Sequence, residues 1–154
     1  MRKLRGRALS VSEARAVLRE HRLPRDEIED VIDDFSRRGY IDDRTLATLL
    51  VTSGVERKKQ GRVALARTLA QRGIPREIVD ETLSELPDDD AERALEFARS
   101  KVGAMSRLDP EVAKRRLAGQ LARRGFPGDV VSSTVRTVIA EQFSTRRGSG
   151  VRFE

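Results

Sequence analysis

Apolar residues along this chain recur at the three- and four-residue spacing of one-sided helices, and the same register appears three times. Ile28, Val31, Ile32 and Phe35 stand at i, i+3, i+4 and i+7. Val79, Thr82, Leu83 and Leu86 repeat that stripe, and Val131, Thr134, Val135 and Val138 repeat it again. Such spacing places each set on one face of an amphipathic helix. A common break precedes each stripe: a leucine, polar residues, a break residue, an apolar residue and a proline. The leucines are Leu18, Leu69 and Leu121, so the period, 51 and then 52 residues, is almost constant (18 to 69, 69 to 121). The break residues are Arg22, Gly73 and Gly125, followed by Leu23-Pro24, Ile74-Pro75 and Phe126-Pro127.

Gly73 and Gly125 suit the left-handed position just past a helix end, where a Cβ is costly. Pro75 and Pro127 suit the first turn of the next helix, where a missing N–H is harmless. Arg22 replaces the glycine in the first copy. Helices ahead of the breaks carry matching stripes, Leu65 and Leu69 against Leu117 and Leu121. Further helices are expected from Asp42-Asp43 to about Val51 and from Asp88–Asp90 to about Val102, with the acids as N-terminal caps. Ser10 and Glu13 form a capping-box pattern, and Asp109-Pro110-Glu111 opens another helix. No stretch alternates with period two. The pattern predicts an all-α protein: an elongated stack of tandem three-helix repeats, three units with the first truncated. The units span residues 1–41, 42–87 and 88–143, and a disordered tail is expected over 144–154.

Composition narrows the chemistry. No cysteine is present, which removes disulfides, thiolate metal sites and cysteine nucleophiles. His21 is the single histidine, and a solvent-facing place near a helix end suits it better than a metal site or a catalytic triad. Asp42-Asp43 and Asp88–Asp90 could suggest Mg²⁺, yet capping accounts for them without a metal. The glycines lack phosphate-loop spacing. No catalytic, cofactor-binding or metal residues are expected. No apolar run reaches the ~20 residues of a membrane span and no export signal opens the chain, so a cytoplasmic protein is expected.

The net charge of +6 suggests a polyanionic partner only weakly, but its distribution is informative. Residues 26–43 and 77–96 are strongly acidic, whereas 44–76 and the stretch from 97 onward are basic. A helix–turn–helix regulator would press the helix after each turn against phosphates, and here those helices carry Asp26, Glu27, Glu29, Asp30, Asp33 and Asp34, then Glu77, Asp80, Glu81 and Glu85. That alternative is disfavoured. Six aromatics, several on apolar stripes, do not furnish a base-stacking platform. A helical-repeat scaffold for another protein remains a second alternative, since repeat stacks offer long binding surfaces.

Three segments carry a family likeness: Arg38-Gly39-Tyr40-Ile41-Asp42-Asp43 with Leu46 and Ala47; Gly61, Arg62, Ala66, Leu69, Arg72, Gly73 and Ile74; and Lys114, Leu117, Leu121, Arg123, Arg124, Gly125 and Phe126. In this order and spacing they resemble the RecX family. Arg67, Ser53 and Gly54 depart from its usual residues. The resemblance implies a regulator that binds the RecA–DNA nucleoprotein filament and mostly inhibits RecA's recombinase, ATPase and coprotease activities in recombination, DNA repair and the SOS response, and a monomer is expected. It also implies weak DNA binding; the charge pattern and the scarcity of aromatics make any such contact insensitive to sequence, and the lack of a long apolar run argues against a membrane role. The candidate filament or DNA contacts are Arg57, Lys58, Lys59, Arg62, Arg72, Lys114, Arg115, Arg116, Arg123 and Arg124.

Overall fold

The computed structural model describes residues 7–151, with side chains to residue 144. Among the described residues there are eight α-helices and no strand: α1 (Val11–Glu20), α2 (Arg25–Arg37), α3 (Asp43–Glu56), α4 (Arg62–Gln71), α5 (Arg76–Ser84), α6 (Asp90–Val102), α7 (Pro110–Arg123) and α8 (Gly128–Val151). A single 3₁₀ turn, Gly103–Met105, follows α6. No described helix is long and apolar enough to cross a membrane.

The break motif forms as its residues dictate. Gly73 and Gly125 adopt φ of 78° and 85°, and the N–H groups of Ile74 and Phe126 bond back to the carbonyls of Leu69 and Leu121, a C-terminal closure that needs the left-handed residue. Arg22 takes the same conformation, φ 58°, without glycine's freedom, so that turn is strained. Pro24 and Pro75 directly precede α2 and α5. His21 is exposed at the end of α1. Two helices outrun the sequence expectation. α3 reaches Glu56 instead of stopping near Val51, its Gly54 buried. The backbone of α8 stays helical to Val151, where a disordered tail was expected from residue 144; residues 152–154 lie outside the described residues.

The chain forms two compact units that cut across the sequence repeats: one of residues up to 54 plus 65–86, the other of 55–64 plus those from 87 onward. In the first, Ala14, Leu18, Ile28, Ile32 and Ile41 form an aliphatic core, with Phe35 and Leu23 packed against it. In the second, Ala113, Leu117 and Leu121 of α7 are wholly enclosed among Phe97, Ala98, Val102, Phe126, Val135, Val138 and Ile139. Burying each of the larger of these apolar side chains contributes roughly 1.5–3 kcal/mol.

One junction is built twice. In the first unit the buried Asp43, at the head of α3, accepts the N–H of Val11, the first residue of α1, at 2.9 Å. In the second, the buried Asp90, at the head of α6, accepts the N–H of Arg62, the first residue of α4, at 3.2 Å. Both acids read from sequence as caps of their own helices. Asp42 does fill that role, accepting from Arg44 and Thr45, but Asp43 and Asp90 satisfy the orphan N–H groups of another helix.

Candidate nucleic-acid interface

The segment Arg57–Gly61 is a turn between α3 and α4, not the basic helix its composition suggests. Lys59 holds a left-handed φ of 54° there. Gly61 closes the turn against the break after α7: its N–H bonds the Arg124 carbonyl at 2.8 Å, and the Val63 N–H bonds the Gly125 carbonyl at 2.9 Å. The approach is so close that a Cβ on Gly61 would stand 2.6 Å from the Gly125 oxygen, and one on Gly125 would stand 2.1 Å from the Ala64 Cβ. This stitching brings Lys58 to the end of α7, where Arg124 Nη1 donates to the Lys58 carbonyl at 2.5 Å.

α6 supplies the floor. The Phe97 ring lies beneath the Arg124 guanidinium, 5.1 Å from its centroid, and beneath the Lys101 ammonium at 5.6 Å. Such contacts contribute about 0.5–1 kcal/mol at exposed sites and about 2 when shielded from water; Lys101 is exposed and Arg124 half-buried. Lys58, Lys101, Arg123, Arg124, Phe97 and Gln120 border a cavity of about 410 Å³. No described carboxylate lies within 4.0 Å of any of these four cations, and the Oε1 of Gln120 is buried without a hydrogen-bond partner. Arg93 keeps the adjoining turn in place: it pairs with Asp89 at 3.1 Å and Asp90 at 2.8 Å and donates to the Gln60 carbonyl at 2.6 Å. The one base of the acidic 77–96 block is thus a structural residue.

The ten candidates separate by what already holds them. Lys58, Arg123 and Arg124 meet at the cavity. Lys59 borders a second recess of about 330 Å³ beside Glu56, Glu96 and Phe126, where its charge faces acids. Lys114 pairs with Glu111 at 3.1 Å, and Arg62 donates to the Pro87 carbonyl at 3.1 Å. Arg115 and Arg116 are exposed on α7, and Arg57 is exposed beyond α3. Arg72 belongs to the first unit and is committed there: it grips Glu13 through two nitrogens, at 2.9 and 3.0 Å, and bonds the Ala8 carbonyl. Burial alone would raise the Glu13 pKa, but the Arg72 hydrogen bond, the Ser10 N–H and the charges of Arg72 and Arg7 together bring it below its ordinary value. Sequence reasoning missed Lys101 and Phe97, although their four-residue spacing places both on one face of α6.

The chain matches the family models of the second three-helix domain of RecX over residues 42–83 and of its third three-helix domain over 88–135. It is 32% identical to the regulatory protein RecX of Streptomyces coelicolor over 126 residues, 81% of this chain and 67% of the relative. It is likewise 32% identical to that of Trichlorobacter lovleyi over 137 residues, 85% of this chain and 87% of the relative. The crystal structure of RecX from Lactobacillus salivarius superposes with a TM-score of 0.78, covering 89% of this chain and 90% of that one at 18% identity, a likeness of fold. Tandem three-helix units, the paired junctions and this degree of identity together make the chain a member of the RecX family of regulatory proteins.

Proposed function

We propose that the protein binds the RecA–DNA nucleoprotein filament and lowers RecA's recombinase, ATPase and coprotease activities. On this reading it acts as a monomer in the cytoplasm, within recombination, DNA repair and the SOS response, and needs neither cofactor nor catalytic group. Membership in the RecX family supports the partner. The observation that carries the contact surface is the set of basic side chains in the second unit that pair with no described carboxylate: Lys58, Lys101, Arg123 and Arg124 around one cavity, with Arg57, Arg115 and Arg116 exposed. A filament presents phosphate at regular intervals, and cations held ready for it bind without reading sequence. The acidic α2 and α5 disfavour a major-groove reader.

The test is RecA's DNA-dependent ATPase and strand exchange with the purified protein titrated in. Inhibition at ratios up to one protein per RecA subunit is expected, weakening as salt rises. No effect at that ratio in low salt overturns the reading, and tight sequence-specific binding to duplex DNA without RecA would favour a helix–turn–helix regulator instead.

A further inference from the structure

We infer that the first unit holds a docking site for a short acidic peptide segment of a partner protein, in the recess between α1 and α2 where Arg15, Arg19 and Arg25 meet. The site uses none of the second unit's basic side chains and goes beyond the filament reading.

Sequence spacing gathers these groups. Arg15 and Arg19 stand one helical turn apart on a single face of α1. The Arg22-Leu23-Pro24 break turns the chain, and α2 then brings up Arg25 and Glu29 at the same spacing. The three guanidinium groups, Glu29, Leu23 and Ile28 border a recess of about 530 Å³. Glu29 is the single carboxylate among these lining residues. Arg15 grips it at two points, through Nε at 2.8 Å and Nη2 at 3.2 Å. Arg19 and Arg25 are exposed and pair with no described carboxylate. All three arginines act on Glu29: the Arg15 hydrogen bond, opposed by burial and aided by the charges of Arg15, Arg25 and Arg19, brings its pKa below the ordinary value. Three cations against one acid leave positive charge that a second carboxylate neutralises. The Arg15–Glu29 pair displays the geometry such a carboxylate takes, since a guanidinium fork matches two carboxylate oxygens.

The surroundings select a peptide over a nucleic acid. The apolar lining is half-buried Leu23 and buried Ile28, which suits an aliphatic neighbour of the incoming carboxylate. None of the described lining residues is aromatic, so no ring is there to stack a base. Beyond Arg25, α2 exposes Asp26, Glu27, Asp30 and Asp33. A DNA strand carries a phosphate at every nucleotide and would run on against these acids. A short peptide can end inside the recess. Arginine is also enriched at protein interfaces, where it brings an apolar stem together with its charge.

The experiment measures fluorescence anisotropy of a fluorescein-labelled peptide, Glu-Asp-Leu-Glu-Asp-Leu, in low salt and without RecA. The proteins are the full chain as wild type, the double variant Arg19→Gln/Arg25→Gln, and Glu29→Gln. Circular dichroism confirms that each is folded. The wild type should bind this peptide and not its neutral counterpart Gln-Asn-Leu-Gln-Asn-Leu. The double variant should bind about 3- to 10-fold more weakly, the loss expected of two exposed ion pairs. Glu29→Gln should bind about 2- to 5-fold more tightly, because removing the competing carboxylate frees Arg15. No binding by the wild type, equal binding of the neutral peptide, unchanged affinity in the double variant or weaker binding by Glu29→Gln overturns the site. Labelled oligothymidylate, tried on the same proteins, should be indifferent to the double substitution; a parallel loss overturns the peptide as the occupant and makes the recess a general polyanion site. The RecA titration separates the two readings. Inhibition of RecA without peptide binding removes this site and keeps the filament reading, and peptide binding through these arginines without inhibition does the reverse.

Discussion

Three glycines share the left-handed conformation but differ in what surrounds them, and substituting each with alanine separates backbone strain from close packing. Gly39, Gly73 and Gly125 have φ of 72°, 78° and 85°. A Cβ on Gly39 meets nothing within 4 Å, one on Gly73 stands 2.6 Å from the Ser12 Cβ, and one on Gly125 stands 2.1 Å from the Ala64 Cβ and 2.4 Å from its backbone nitrogen. The left-handed conformation costs a non-glycine residue about 1–2 kcal/mol, and restricting the unfolded chain returns about 0.4–1. Gly39→Ala should therefore destabilise by about 0.5–1 kcal/mol. At Gly73 the Cβ lies about 1 Å inside the optimal carbon–carbon separation, and forcing the helices apart adds about 1–3 kcal/mol. Gly125→Ala presses on backbone, and it also strains the Gly61–Arg124 and Val63–Gly125 hydrogen bonds, each worth about 1 kcal/mol; a loss of about 4 kcal/mol or more is expected. Urea unfolding followed by circular dichroism measures these costs as midpoint shifts at constant slope. Gly39 and Gly73 belong to the same compact unit, so one transition compares them directly. If Gly73→Ala costs no more than Gly39→Ala, close approach at the junction is not what the glycine provides.

Arg22→Gly should raise stability by about 0.5–1 kcal/mol by relieving its left-handed strain, read as an upward shift of the urea midpoint; a lower midpoint would show that the Arg22 side chain matters more than its backbone. Asp90→Ala and Asp43→Ala should each cost about 1–3 kcal/mol, because each leaves a partly buried N–H of another helix unpaired, and Asp90→Ala also takes a carboxylate from Arg93. Asp42→Ala, which loses an exposed cap, should cost about 1 kcal/mol; similar costs for Asp42 and Asp90 in the same denaturation assay would count against the cross-helix role. The Glu13 pKa is depressed in the folded state, so its contribution is present above its ordinary pKa and lost as pH falls through the folded value. The stability difference between wild type and Glu13→Gln, measured by urea unfolding over a pH series, should thus be constant near neutrality and shrink below the ordinary glutamate value; a difference that grows on acidification would reverse the sign of this argument.

The helices were largely legible because each break combines residues with a single conformational use. Gly73 and Gly125 past a helix end, and the prolines after them, leave the chain few alternatives. The i, i+3, i+4, i+7 stripes then name much of the core: Ile28, Ile32, Val79, Val135 and Val138 are all buried. Two helix ends were not legible. Gly54 lies inside α3, where burial outweighs its weak propensity, and the glycines and serines after residue 143 read as a tail although the backbone there is helical. The junction acids were half legible. Periodicity places Asp43 and Asp90 at helix starts, but which N–H they accept depends on residues 32 and 28 positions earlier. The candidate surface was legible as composition alone. Sequence counts Arg72 and Arg124 as equivalent cations and does not reveal that one is already neutralised.

That last difference follows from the repeat itself. Arg72 and Arg124 occupy the same place before the break glycine, 52 residues apart (72 to 124). In the first unit the helix facing that break begins Ser10-Val11-Ser12-Glu13, and Glu13 takes the Arg72 guanidinium in two hydrogen bonds. In the second unit the corresponding helix begins Gly61-Arg62-Val63-Ala64, and the position of the acid is filled by Ala64, pressed against Gly125. Alanine carries no carboxylate, so no acid stands at that position to meet Arg124. The second junction therefore lacks the counter-ion that serves the first. Arg124 is left to stack on Phe97 beside Lys101, and the charge that stabilises one junction becomes, at the other, charge available to a partner.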